Sequence, residues 1–115
     1  MKNSGQIVLF RFPQTNLTQG KLRPALLIGR LPGPYDDWLI MMISSQLQHT
    51  IAGFDETIQS QDADFAASGL KSASVIRIGR LAVVDGAVLV GSIGTISQDR
   101  LKRIKQRLAE WLIQS

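Results

Sequence analysis

Short apolar runs, each stopped by turn chemistry, constrain this chain more than any other feature. Gln6-Ile7-Val8-Leu9-Phe10-Arg11-Phe12 is β-branched and aromatic and ends at Pro13, which predicts a strand. Residues 14–22 are polar and predict a loop. Arg23-Pro24 opens Ala25-Leu26-Leu27-Ile28-Gly29, a second strand with proline at a start position where its missing N–H costs least. Leu31-Pro32-Gly33-Pro34-Tyr35-Asp36-Asp37 is a turn, and residues 38–44 form a third run of strand length. The signal weakens over residues 45–70, where Thr57 and Ile58 fit a short edge strand and residues 62–69 a loop or one helical turn. It returns at Ser74-Val75-Ile76-Arg77-Ile78, where alternation sets Val75 and Arg77 against Ile76 and Ile78. Asp85-Gly86 between apolar runs predicts a hairpin, with residues 87–93 as the partner strand.

The last segment has a different period. Leu101, Ile104, Leu108, Trp111 and Leu112 make one apolar stripe, Ser97 is a candidate N-cap, and Asp99 falls in the first turn. Trp111 on that stripe reads as core, and Arg100, Arg103 and Arg107 read as a solvated face. Five or six short strands followed by one amphipathic helix predict a mainly β fold. Its form is a small antiparallel barrel or half-barrel closed by the helix.

Composition removes most chemistries. At 115 residues the chain predicts a single domain over 1–115, able to bury roughly two-thirds of its unfolded surface. With no cysteine there is no disulfide framework, thiolate metal site or cysteine nucleophile. The single histidine, His49, cannot form a multi-histidine zinc site, and its polar neighbours Gln48 and Thr50 suggest an exposed loop. The longest apolar run, residues 38–43, is far below the ~20 residues of a membrane span, and the polar start lacks a signal-peptide core. The expectation is a soluble cytoplasmic protein that needs no cofactor.

The net charge of +4 conceals blocks of opposite sign. Lys2, Arg11, Lys21, Arg23 and Arg30 precede any acid; Asp36, Asp37, Asp55, Glu56, Asp62 and Asp64 follow with no Lys or Arg among them; residues 65–115 are again basic. Basic blocks favour polyanions, because each neutralised phosphate releases condensed counterions. Asp55, Glu56, Asp62 and Asp64 read as solvated or partner-facing rather than as metal ligands. Gly91-Ser92-Ile93-Gly94 lacks the rest of a dinucleotide fingerprint and is not taken as a phosphate loop.

What remains is an arginine and hydroxyls. Arg23 lies between a glycine-containing loop and a proline, and Ser44 and Ser45 lie where a strand ends. A permanently charged guanidinium can stabilise charge developing on phosphorus, and hydroxyls can orient the scissile group. RNA supplies its own 2′-hydroxyl nucleophile, so this minimal set would serve RNA and not DNA.

These pieces, in this order, resemble the PemK/MazF family of bacterial type II toxins. The resemblance rests on Gly5-Gln6-Ile7-Val8, Gly20-Lys21-Leu22-Arg23-Pro24-Ala25-Leu26-Leu27-Ile28 and Ile43-Ser44-Ser45-Gln46. It continues through Ser74-Val75-Ile76-Arg77-Ile78 and Val90-Gly91-Ser92-Ile93-Gly94-Thr95-Ile96-Ser97. It implies an SH3-like barrel with a C-terminal helix and a homodimer. It also implies a metal-independent, sequence-specific endoribonuclease that cleaves single-stranded mRNA and is neutralised by a cognate antitoxin. By position, Arg23 matches the family's catalytic arginine and Ser44 its catalytic threonine. Serine keeps the hydroxyl and drops the methyl that restricts its rotamers. Ser45 would take that role if the register slipped by one; Gln46 follows as in some members. Lys21, Arg77 and Arg80 are the candidate phosphate contacts, with Ser45 and Gln46 beside them. Gly5-Gln6 stands where the family usually has Gly-Asp or Gly-Glu. A basic cleft with an apolar rim would suit an acidic antitoxin tail that folds on binding. Two alternatives accompany this reading. One is a non-enzymatic toxin similar to CcdB, which binds DNA gyrase through the end of its helix, here Trp111-Leu112-Ile113. The other is a catalytically degenerate regulatory homologue.

Overall fold

The computed structural model describes residues 2–11 and 21–115, so most of the loop expected over residues 14–22 lies outside the described residues. The strands are β1 (Gln6–Arg11), β2 (Leu22–Arg30), β3 (Asp37–Ser44), β4 (Glu56–Ile58), β5 (Ser74–Asp85) and β6 (Leu89–Thr95). The helices are the one-turn α1 (Phe65–Ser68) and the long α2 (Gln98–Gln114). The strands form one antiparallel sheet in the order β4-β5-β3-β2-β1-β6. This is the mainly β, helix-terminated architecture that the sequence predicts, with Thr57 and Ile58 in an edge strand.

The apolar runs are unbroken because the first three strands are covered on both faces. One set of side chains, Ile7, Leu26, Met41, Ile76 and Ile78, packs beneath Leu101 and Ile104 of α2. The alternate set, Val8, Phe10, Ala25, Leu27 and Ile40, forms a second cluster with Trp38 and Leu89. A strand that buries both faces has no polar face to alternate with. Register shifts in β1, at Leu27/Gly29 in β2 and at Met41/Ile43 in β3 bend the strands and increase their coiling.

Helix α1 follows the edge strand β4 in the chain and packs on the other edge strand, β6. Gly94 of β6 has no side chain, and the carbonyls of Ala67 and Ser68 occupy the space a Cβ would need. Gly69 ends α1 in the left-handed conformation (φ +73°) with its Cα side against the Ile93 carbonyl. These two contacts let the α1 backbone lie on β6 and close the barrel. They also give Gly94 a packing role.

The Asp85-Gly86 hairpin does not form. β6 leaves β5 through a 3-10 turn over Gly86–Val88 and pairs with β1 at the other end of the sheet. Asp85 Oδ1 accepts from Ala87 N at 2.8 Å, and Gly86 N donates to Asp36 O at 2.8 Å. Those bonds tie the turn to the start of β3 and carry the chain across the barrel's end.

Helix α2 starts as expected, with Ser97 Oγ accepting from Arg100 N at 3.1 Å. Two expectations for this helix are corrected. Its last turn is not core: Trp111, Leu112 and Ile113 are 52%, 58% and 83% exposed, and the Trp111 ring meets Phe54 with centroids 6.3 Å apart. Nor are its arginines simply a solvated face. Arg100 is buried and donates to both oxygens of Asp64 (2.8 and 3.0 Å), to Glu56 Oε1 (3.1 Å) and to Asp62 Oδ2 (3.1 Å). Arg103 and Arg107 reach the two oxygens of Glu56 at 2.7 and 2.9 Å. Asp55 accepts from the backbone of Ile51 and Ile78. Asp55, Glu56 and Asp64 are therefore internal fasteners rather than solvated or partner-facing groups, and no such burial is visible from a polar tract read alone.

Candidate active site

The β2–β3 ladder pairs Ala25 with Met42, and continuing that register sets Arg23 opposite Ser44. Pro24 sits where this ladder ends. Both residues line two adjoining hollows, one of about 460 Å³ and the other of about 440 Å³. The first is walled by Leu9, Leu70 and Ile93 and rimmed by Lys71 and Ser72. The second carries His49, Arg77 and Arg80. Arg23 and Ser44 thus stand on the ridge between an apolar-walled hollow and a basic one.

Ser44 is half-buried, and its Oγ accepts from Gln46 N at 3.0 Å. That bond occupies one lone pair and leaves the hydroxyl proton available for a ligand. It also restrains the side chain, as the absent methyl of a threonine would. Gln46 lines both hollows and Ser45 the first. The β3–β5 register jumps from Met41↔Leu81 to Ile43↔Ile76, so Arg77 and Arg80 fall in the irregular stretch of β5 opposite Met42. An irregularity of this kind re-aims side chains, and both arginines border the second hollow. Lys21 is exposed just ahead of β2 and borders neither hollow.

Sequence reasoning missed Lys71. It is the first Lys or Arg after the stretch without one, and it directly follows the α1 segment that Gly69 terminates. A glycine closing a helical turn ahead of an isolated cation is the signal that could have found it. His49 is exposed as expected, but it faces the second hollow rather than open solvent alone.

The cations near the helix and those near the cleft differ. Arg100, Arg103 and Arg107 are consumed by carboxylates. The Arg100 hydrogen bonds outweigh burial and hold Asp64 down at about 2, from 3.8. Burial works against the charge on Arg100, yet Asp64, Glu56 and Asp62 overcome it and raise its pKa. Among the described residues, the side chains of Arg23, Lys71, Arg77 and Arg80 make no ion pair, and no carboxylate lines either hollow. Lys102 and Lys105 on α2 form no ion pair either, but they lie beside Asp99, whereas the cations around Arg23 and Ser44 share hollows with no carboxylate among the described lining residues, where a polyanion would find them unopposed.

A small antiparallel barrel with a basic, hydroxyl-bearing cleft at the end of β2 and β3 defines the class. The family described as "PemK-like, MazF-like toxin of type II toxin-antitoxin system" matches residues 3–112, and the chain belongs to it. Among solved structures it is similar to the crystal structure of MazE-MazF (Form-II) from Deinococcus radiodurans, with a TM-score of 0.74 and 20% identity. That match covers 99% of this chain and 97% of the other. No curated protein shows significant sequence similarity to this chain.

Proposed function

We propose that this chain is an endoribonuclease toxin that cuts single-stranded mRNA without a metal ion and is neutralised by a cognate antitoxin. The observation that carries this reading is that Arg23 and Ser44 line the same hollows as Lys71, Arg77 and Arg80, with no ion pair on these cations and no carboxylate lining the hollows among the described residues. In the reaction, the 2′-oxygen of the substrate attacks phosphorus, the bond to the 5′-oxygen breaks, and a 2′,3′-cyclic phosphate remains. Arg23 and the Ser44 hydroxyl would donate to the non-bridging oxygens as charge gathers there. Lys71, Arg77 and Arg80 would hold flanking phosphates, with Ser45 and Gln46 beside them and Lys21 an outlying contact.

The Deinococcus MazF is seen with MazE, and an acidic antitoxin tail competing with RNA for the same cations fits this cleft. Exposed Leu81, Val83, Val88 and Val90 provide apolar surface for a homodimer. Among the described residues, no helix is long and apolar enough to cross a membrane. The test is cleavage of RNA in EDTA, with ends mapped by primer extension. Wild type should leave 2′,3′-cyclic or 3′-phosphate ends and Arg23→Ala should not cut; equal cleavage by both rejects this mechanism.

A second reading has its own observation, the exposed Trp111-Leu112-Ile113 at the end of α2. It would make the helix end a docking point for a protein such as DNA gyrase.

A further inference from the structure

We propose that His49 is the general base of the cleavage reaction, taking the proton from the attacking 2′-hydroxyl. The inference rests on the ribonuclease reading and deepens it.

The reaction must move protons. The 2′-O–H bond breaks as the 2′-O–P bond forms, and the 5′-oxygen gains a proton as its bond to phosphorus breaks. Arg23 cannot take the first proton, because a guanidinium stays fully protonated in proteins. Ser44 is a hydroxyl, and one acceptor site on its Oγ is already filled by Gln46 N. Among the described residues, no carboxylate lines either hollow. Of the described residues that line them, only His49 carries an imidazole, the side chain most often used as a general base. A neutral imidazole suits a base, and the departing 5′-oxygen can take its proton from water.

The backbone sets this imidazole relative to Ser44. Gln46 N donates to Ser44 Oγ at 3.0 Å, and Gln46 O accepts from His49 N at 3.0 Å. Thr50 then closes the 3-10 turn, its N and Oγ1 both donating to Leu47 O. Two hydrogen bonds through Gln46 therefore connect the hydroxyl to the backbone that carries the histidine. The charged groups facing His49 across the second hollow are Arg23 from β2 and Arg77 and Arg80 from β5. Asp55, the nearest acid along the chain, is engaged by Ile51 N and Ile78 N. Phosphate held by the three arginines would thus be presented to the imidazole.

The test compares wild type with His49→Ala and His49→Gln on one RNA across pH 5–9. Binding is measured with the same RNA carrying a 2′-deoxy nucleotide at the cut site. The His49 side chain is exposed and, among the described residues, makes no side-chain hydrogen bond, so both variants should fold. The expected result is a loss of roughly 100-fold or more in kcat, unchanged affinity for the deoxy substrate, disappearance of the acid limb of the pH–rate profile, and partial rescue of His49→Ala by added imidazole. Wild-type rates in the variants overturn the proposal. So does a slower variant that keeps the acid limb and ignores imidazole, since that is a structural effect. RNA left uncut by wild type overturns the ribonuclease reading itself and this proposal with it.

Discussion

Arg100 Nε lies 2.8 Å from Asp64 Oδ2, with both side chains buried and thirty-six positions apart in sequence. Ser97 N donates to the same oxygen at 3.0 Å, so one carboxylate fastens the start of α2 to the start of α1. Since α1 closes the barrel onto β6, this pair holds the helix and the barrel seam together.

That carboxylate makes stability depend on acid. The folded value of Asp64 is about 2 against 3.8 when unperturbed. A lowered carboxylate pKa stabilises the fold above the unfolded value and loses that contribution as pH falls through the folded one. Asp64 is expected to contribute on the order of 2 kcal/mol at neutral pH, fading between about pH 4 and pH 2. Asp64→Asn should remove most of this pH dependence in urea melts. Arg100→Met should be worse, costing about 3–5 kcal/mol, because it leaves Asp64 and Asp62 without a cation while Glu56 keeps Arg103 and Arg107.

Strands β1, β2 and β3 were legible because their apolar runs are dictated by burial on both faces, as Ile7 and Val8 show by entering opposite clusters. Arg23 and Ser44 were legible as candidates because each lies at a strand end marked by proline or by hydroxyls. The pairing of β6 was not. An Asp-Gly step reports local turn chemistry, whereas the partner strand depends on which sheet edge is open, here β1. The ion network was half visible: Arg100, Arg103 and Arg107 share a helical face, but nothing local says that Glu56 and Asp64 face it. Lys71 depended wholly on where α1 docks.

Ser44 should tolerate threonine and not alanine. Its hydroxyl is restrained by Gln46 N, and threonine would keep that bond while adding a rotamer restraint. Ser44→Thr is expected to retain most cleavage activity, and Ser44→Ala to lose about 100-fold in kcat. A Ser44→Ala enzyme as fast as wild type would remove the hydroxyl from the mechanism and leave Ser45 as the candidate.

Lys71, Arg77 and Arg80 border the two hollows and, among the described residues, form no ion pair. Each alanine variant should weaken RNA binding and flatten the plot of log affinity against log salt by about 0.7 per lost phosphate contact. Arg103→Ala, already committed to Glu56, should leave that slope unchanged. Filter binding between low and high salt measures both.

Gly94 and Gly29 offer a matched pair within the sheet. A Cβ at Gly94 would meet the backbone carbonyls of Ala67 and Ser68, while one at Gly29 meets nothing within 4 Å. Gly94→Ala should cost about 1–3 kcal/mol, and Gly29→Ala should fall within about 0.5 kcal/mol of wild type. Because α1 leads directly to Lys71, Gly94→Ala should also weaken RNA binding when folded, which Gly29→Ala should not.

The exposed end of α2 separates the two functional readings. Removing residues 111–115 deletes the Phe54–Trp111 ring contact, worth about 0.5–1.5 kcal/mol beyond the area it buries, and leaves Arg100, Arg103 and Arg107 in place. The shortened protein should therefore fold, cut RNA at close to the wild-type rate and still arrest growth. Full growth arrest by a truncated protein that also carries Arg23→Ala would contradict the nuclease reading. A truncated protein that stays folded and cleaves RNA in vitro, yet no longer arrests growth, would assign the toxicity to a partner docked on Trp111, Leu112 and Ile113. Measuring melting, cleavage and growth on the same variant distinguishes these outcomes, because loss of fold would remove all three together.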